Sequence, residues 1–191
     1  CYGVKTTNEY DEDTNELIKK TITSEVNGSI NVDYTYDNGD LIKESDSTGN
    51  TVDYIYDNYH REDITTANSI KSDVTYSGNN ISKIEVSTTS STKIADIDYQ
   101  YDNKKNIKTI TCENGSVYDF TYDDRNRLTK VTLNNKTLLE LSYDYYDKVI
   151  TKKYGNNNYF TFEYVENLLS AIKYGSSNRY SITYDPYERV K

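Results

Sequence analysis

Apolar and polar positions alternate along most of this chain, and Asp, Asn and Gly interrupt the alternation about every twenty residues. A period of two puts alternate side chains on one face of an extended strand. The clearest phrases are aromatic-x-Tyr followed by Asp: Tyr34-Thr-Tyr36-Asp37, Tyr54-Ile-Tyr56-Asp57, Tyr99-Gln-Tyr101-Asp102 and Phe120-Thr-Tyr122-Asp123. Looser copies end at Tyr76, Tyr143, Phe162 and Tyr184, and an opening copy is Tyr10-Asp11. The anchors are therefore Tyr10, Tyr36, Tyr56, Tyr76, Tyr101, Tyr122, Tyr143, Phe162 and Tyr184, spaced by 26, 20, 20, 25, 21, 21, 19 and 22 residues. Persistence of one period marks an internal repeat.

Each unit reads as a β-hairpin. Asp opens a turn by accepting backbone N–H groups, and Gly39 or Asn126 supplies the positive φ that such turns need. A branched residue then starts a return strand, as in Leu128-Thr-Lys-Val131-Thr-Leu133. The opposite turns are polar, among them Asn27-Gly-Ser, Thr48-Gly-Asn, Asn114-Gly-Ser and Gly155-Asn-Asn-Asn, and Asn-Gly is a strong hairpin signal. Glu62 stands where a branched residue is expected, with Ile64 nearby to compensate, and Ser87 to Thr92 lengthens one loop. No linker interrupts the pattern. The expectation is one domain over 1–191, about nine units of ~21 residues with the last incomplete, making roughly 16 to 18 strands.

Composition changes what fills the apolar positions. Hydrophobic residues are only 35% of the chain, yet 22 residues are Tyr and none is Trp or Met. Tyr, Thr, Ile and Val favour strands, and a Tyr ring can be covered while its hydroxyl stays solvated. The fold class expected is all-β, with Tyr in the place of aliphatic core residues. A net charge of −9 disfavours binding to nucleic acid or an anionic membrane. No apolar run reaches the roughly 18 residues that span a bilayer.

Little here points to chemistry. Arg61, Arg127, Lys148 and Arg189 each lie four residues after a turn Asp. That offset allows pairing across the turn, although a solvated surface charge contributes little. His60, the single histidine, reads as a solvated turn residue rather than a general base. Asp11-Glu-Asp13 and Asp96-Ile-Asp98 offer carboxylates but no complete cation loop, so no metal, cofactor or catalytic residue is assigned. Cys1 could be the lipid-bearing first residue of a mature lipoprotein, or only the point where a longer protein is cut. Alignment with Val131-Thr-Leu133 turns Cys112 inward as a buried, inert thiol.

The phrase Tyr-x-Tyr-Asp, some four turn residues ending in Arg or Lys, then Leu or Val, resembles the YD repeat of the Rhs family. Tyr122-Asp-Asp-Arg-Asn-Arg-Leu128 and Tyr184-Asp-Pro-Tyr-Glu-Arg-Val190 carry the resemblance best, and it extends from about Tyr10 to the end. The resemblance implies a β-hairpin ribbon winding into a curved, spiral sheet, which closes into a hollow shell in large members. Those members include bacterial polymorphic toxins, insecticidal toxin-complex subunits, wall-associated proteins and animal teneurins. Asp185-Pro186 is followed by Tyr187-Glu188, so the self-cleaving signature of toxin-bearing members is absent. The chain is accordingly expected to be a segment or short arc of a ribbon, too small to close a shell.

The function that follows is structural and non-catalytic: part of an extracellular or cell-surface shell or stalk associated with toxin encapsulation or adhesion. Its partners would be an enclosed toxin or flanking domains of the same polypeptide. The alternative is a binding module whose exposed Tyr rows meet glycans or a cell-surface protein, as in aromatic hairpin repeats of sugar-binding proteins.

Overall fold

Between the turn residues the backbone is extended throughout. In this computed structural model the described residues, 3–24 and 28–191, form seventeen β-strands and no helix. Cys1 and the Asn27 turn position lie outside those residues. Contacts group the chain into two units, Cys1–Ile97 and Asp98–Lys191.

In the first unit β1 (Val4–Tyr10), β2 (Leu17–Ser24), β3 (Gly28–Asp37), β4 (Asp40–Asp46), β5 (Thr51–Tyr56), β6 (Glu62–Ala67), β7 (Ile70–Ser77) and β8 (Asn80–Thr88) each pair antiparallel with the next. β9 (Lys93–Tyr101) contains the boundary. In the second unit β10 (Ile107–Cys112), β11 (Val117–Tyr122), β12 (Leu128–Leu133), β13 (Lys136–Tyr143), β14 (Val149–Tyr154), β15 (Tyr159–Val165), β16 (Leu168–Tyr174) and β17 (Ser177–Ser181) repeat the same meander.

Register separates the two faces. Directly opposed residues share a face, and the pairs Tyr118↔Leu133, Phe120↔Val131, Val131↔Leu139 and Phe162↔Ile172 collect the aromatic and aliphatic side chains on one side. The intervening pairs Asp119↔Thr132, Lys130↔Glu140 and Glu140↔Lys153 are polar. Ion pairs run along that polar side, with Glu140 lying 3.5 Å from Lys130 and 3.7 Å from Lys153. Such exposed pairs contribute little stability but suit a water-facing surface.

The apolar side has no second layer over it within either unit. Among the described residues only Ala171 and Ser87 are buried, each 7% exposed, and no large side chain is fully enclosed. Tyr rings are instead half-covered by their neighbours along the sheet, as where Phe160 packs 5.3 Å from Tyr174 and 6.3 Å from Tyr154. Polar residues also stand on this side, among them Glu44 and Lys152. Glu44 lies opposite Tyr34 and accepts the Tyr54 hydroxyl at 3.0 Å. Burial and that carboxylate push Tyr54 up to about 12.

Candidate functional site: the tyrosine–turn lattice

At several anchor tyrosines the ladder is bulged where the strand meets its return partner. Tyr122 faces Leu128 while Thr121 faces Lys130, so Thr129 is the extra residue. The same shift occurs at Tyr36, Tyr56, Tyr76, Tyr143 and Tyr164. A bulge interrupts ladder hydrogen bonding and leaves backbone groups to be satisfied by other means. In three units the extra residue carries a hydroxyl that does this. Ser82, Thr129 and Ser170 each donate, at 3.1 Å, to the carbonyl of Thr75, Thr121 and Glu163 respectively.

A carbonyl at the start of the return strand, its first or second, receives a hydroxyl from the following unit. Tyr56 donates to Leu41 at 2.9 Å, Tyr76 to Glu62 at 2.7 Å and Tyr122 to Ile107 at 2.9 Å. Tyr143 donates to Leu128 at 2.6 Å, Tyr164 to Val149 at 3.0 Å and Tyr184 to Leu169 at 2.9 Å. Burial raises the pKa of Tyr56, Tyr122, Tyr143 and Tyr164, and likewise of the anchors Tyr36 and Tyr101. Tyr10 is half exposed, and its hydroxyl accepts from Asn8 Nδ2 at 3.2 Å.

One anchor is displaced from its expected position. Phe162 has no hydroxyl and sits opposite Ile172 in regular ladder, whereas Tyr164 occupies the bulge and makes the carbonyl bond. The chain there reads Phe160-Thr-Phe162-Glu-Tyr164, three alternating aromatics, so either of two frames satisfies the apolar pattern. The missing Asp conceals the right one: Tyr164 is followed by a two-residue Glu166-Asn167 turn in which both residues have positive φ.

The turns form a second set of junctions. Asp123 Oδ1 accepts the backbone N–H of Arg125 and of Arg127, both at 3.0 Å, while Oδ2 accepts Arg127 Nε at 2.8 Å. Arg127 Nη1 then reaches the next unit's turn, at 3.0 Å from the Asp144 carbonyl and 2.7 Å from Asp147 Oδ1. Arg61 repeats this with Asp57 and the Gly78 carbonyl. Arg189 makes the Asp185 half of the arrangement. The Arg hydrogen bond is the main cause that lowers the pKa of Asp57, Asp123 and Asp185. Asn106 takes the Arg position beside Asp102, lowering its pKa in the same way, and exchanges amide hydrogen bonds with Asn126. Arg61 and Arg127 are thus built-in connectors, with side chains 26% and 20% exposed, whereas Arg189 stays a largely solvated turn charge.

Opposite turns are tied similarly. Asn134 donates its N–H to the Val117 carbonyl and accepts the Val117 N–H on Oδ1, both at 2.8 Å. Asn68 and Thr51 repeat the exchange.

The remaining sequence candidates are placed as follows. Glu62 holds the branched-residue position opposite Tyr56, with Ile64 opposite Ile55. His60 is a turn residue whose Nδ1 lies 2.6 Å from Asp40 Oδ2, linking two turns. Asp96 is engaged by Lys83 and Lys93. No cluster of potential metal ligands occurs among the described residues. Cys112 is a free thiol but is not buried. It opens a four-residue turn, its N–H donating to the Ser116 carbonyl, in the place Asp46 holds in the turn to Asn50. The alignment with Leu133 identified its face but not its position at the sheet margin, where fewer neighbours cover a side chain.

A family model described as RHS Repeat matches residues 101–138. A search of curated protein sequences finds no match. Among solved structures the chain is similar to TcdB2-TccC3 without its hypervariable C-terminal region, with a TM-score of 0.74 and 12% identity over 97% of this chain. It is also similar to the Photorhabdus luminescens Tc holotoxin pore carrying a TccC3 mutation, with a TM-score of 0.73 and 13% identity over 97% of this chain. Residues 101–138 thus match the RHS repeat that the Tyr-x-Tyr-Asp phrases resemble. At such identities the structural likeness is one of fold: an all-β run of YD hairpins. The chain spans 11% of the length of each of these two structures.

Proposed function

We propose that this chain is a non-catalytic structural segment of a larger secreted or cell-surface YD-repeat protein, one stretch of a shell wall or stalk used in toxin encapsulation or adhesion. The junction lattice carries the reading. The polar groups that repeat from unit to unit, namely the anchor hydroxyls, the turn carboxylates and the Arg forks, are spent on joining one hairpin to the next. A catalytic site needs groups left available to a substrate, whereas these are turned on the backbone. The likeness to about a tenth of much longer Tc toxin chains supports a segment role. A single repeat domain over 1–191 is part of this reading, and its partner would be an enclosed toxin or flanking domains of the same polypeptide. Electron cryomicroscopy of the full-length parent protein tests it. The expected density places these repeats in a continuous β-wall, with any enclosed segment protected from protease until the wall opens. Repeats lying apart from any wall or stalk would refute it.

A second reading, a binding module for glycans or a protein, is favoured by one observation. Tyr59, Tyr145, Tyr146 and Tyr187 stand exposed in the YD turns, apart from the anchor rows.

A further inference from the structure

We infer that the turn pair Asp123–Arg127 and Asp144–Lys148 presents Tyr145 and Tyr146 as a stacking platform for an uncharged saccharide. This inference rests on the second reading above. Both rings are displayed, at 74% and 67% exposure, where an aromatic side chain gains nothing from solvent.

Their orientation is fixed from beneath. The Arg125 guanidinium lies 4.8 Å from the Tyr145 ring centre, and Arg125 Nη1 donates to the Tyr145 carbonyl at 2.7 Å. Lys148 Nζ lies 5.6 Å from the Tyr146 ring and is held by Asn167 Oδ1. The rings meet edge to face, 5.4 Å apart at 88°. Each ring is thus held by a cation and by its neighbour while most of its surface stays exposed, and the backbone below is locked by Asp144 Oδ1, which accepts the N–H of Tyr146 and of Lys148. A preorganised platform loses little freedom on binding. The second unit repeats the device at Tyr187, 78% exposed with Arg189 5.3 Å from its ring.

The ligand class follows from charge and size. An aromatic face is the negative part of the ring quadrupole, which attracts the polarised C–H face of a sugar ring. Anionic ligands find the two arginines already paired, because Arg125 and Arg127 both face Asp147. A net charge of −9 opposes them further. A protein partner is the wrong size. Two tyrosines bury at most roughly 300–500 Å², short of the about 800 Å² per side of a stable interface. A sugar polymer can instead gather several weak contacts along repeated turns.

The test titrates the full chain with cellohexaose, chitohexaose and a heparin hexasaccharide, following tyrosine fluorescence. At least one neutral hexasaccharide should bind saturably, and binding should persist as NaCl rises from about 50 to 500 mM. It should weaken by about tenfold or more in the Tyr145→Ala, Tyr146→Ala double variant, with an unchanged far-ultraviolet spectrum. Binding retained by the double variant would overturn this platform and leave the binding-module reading standing. Binding confined to heparin would overturn the ligand class. No binding of any of the three would remove both, without touching the wall-segment reading.

Discussion

Tyr143 donates its hydroxyl to the backbone carbonyl of Leu128, 2.6 Å away and fifteen residues earlier in the chain. Leu128 lies beside the bulge at Thr129, so the tyrosine of one unit completes the backbone of the unit before it. Arg127 works in the opposite direction, carrying a donor from its own turn to the carbonyl of Asp144 in the next. Each junction is thus made by both partners. Stability in such an array is a sum of unit and nearest-neighbour terms.

Removing the hydroxyl alone should be measurable. Tyr143→Phe keeps the ring but strands the Leu128 carbonyl, at an expected cost of about 1 kcal/mol in urea unfolding. Tyr143→Ala should cost roughly 3 kcal/mol or more through lost packing. The shifted anchor gives a sharper contrast: Tyr164→Phe should lose about 1 kcal/mol, whereas Phe162→Tyr should gain no equivalent bond. Equal effects at 162 and 164 would refute the assignment of Tyr164 as the anchor.

The fold was legible because the period-two pattern and its Asp punctuation determine both strand faces and turn positions. The pattern singles out Tyr122 and Tyr143, and both hydroxyls donate to a carbonyl of the preceding unit. It does not settle the frame at Phe162, because three alternating aromatics fit the apolar face in either frame and only the hydroxyl bond distinguishes them. Cys112 shows a different limit. Alternation gives the face, but depth depends on distance from the sheet margin, which the turn at Ser116 sets. The Arg127 fork was visible as an offset, while its second bond to the next turn depends on strands that pair across units.

The turn carboxylates should make stability depend on acid. Their folded pKa values lie below the ordinary carboxylate value at Asp57, Asp102, Asp123 and Asp185, chiefly through side-chain hydrogen bonds from Arg61, Asn106, Arg127 and Arg189. A lowered folded value gives stability that is full above about pH 5 and is lost as pH falls through the folded pKa. The melting temperature should therefore be flat from about pH 5 to 8 and decline below about pH 4. Arg127→Ala should lower the melting temperature at neutral pH and shrink that acid-dependent decline.

Two turn positions should respond oppositely to small changes. A Cβ added at Gly155 would come 2.0 Å from the Thr137 carbonyl oxygen, backbone that cannot swing aside. Gly155→Ala should cost on the order of 1–3 kcal/mol. Lys105 sits at φ 68°, a left-handed conformation that a side chain resists. Lys105→Gly should stabilise the turn by up to about 1 kcal/mol, less the backbone freedom that glycine loses on folding. Paired urea titrations would show both signs.

Cys112 should be open to chemistry in the folded protein. It is only partly buried at the start of its turn, so a thiol reagent should label it in the native protein at a rate below that of a free model thiol. Labelling only after unfolding would mean that the margin of β10 is covered in solution, and that Cys112 is as buried as its alignment with Leu133 suggests.

The tyrosines set the alkaline limit. Burial is the leading cause that raises the folded pKa of Tyr34, Tyr36, Tyr54, Tyr56, Tyr101, Tyr122, Tyr143 and Tyr164, and Tyr54 reaches about 12 through the added effect of Glu44. A raised folded value means that the protonated hydroxyl is the form the fold accepts. Its contribution is full below the unfolded pKa of about 10 and is lost as pH rises through the folded value. Each hydroxyl that donates to a carbonyl must also give up that bond when it ionises. Because several of these hydroxyls link successive repeats within each unit, their losses add in the same narrow range. The expected outcome is cooperative unfolding between about pH 10 and 12, with phenolate absorbance rising in step with the loss of the β-sheet circular dichroism signal. Tyr54→Phe, which removes the most strongly shifted group, should reduce the steepness of the pH dependence. Smooth ionisation of all 22 tyrosines near the ordinary value, with the sheet intact, would show that the anchor hydroxyls do not hold the units together.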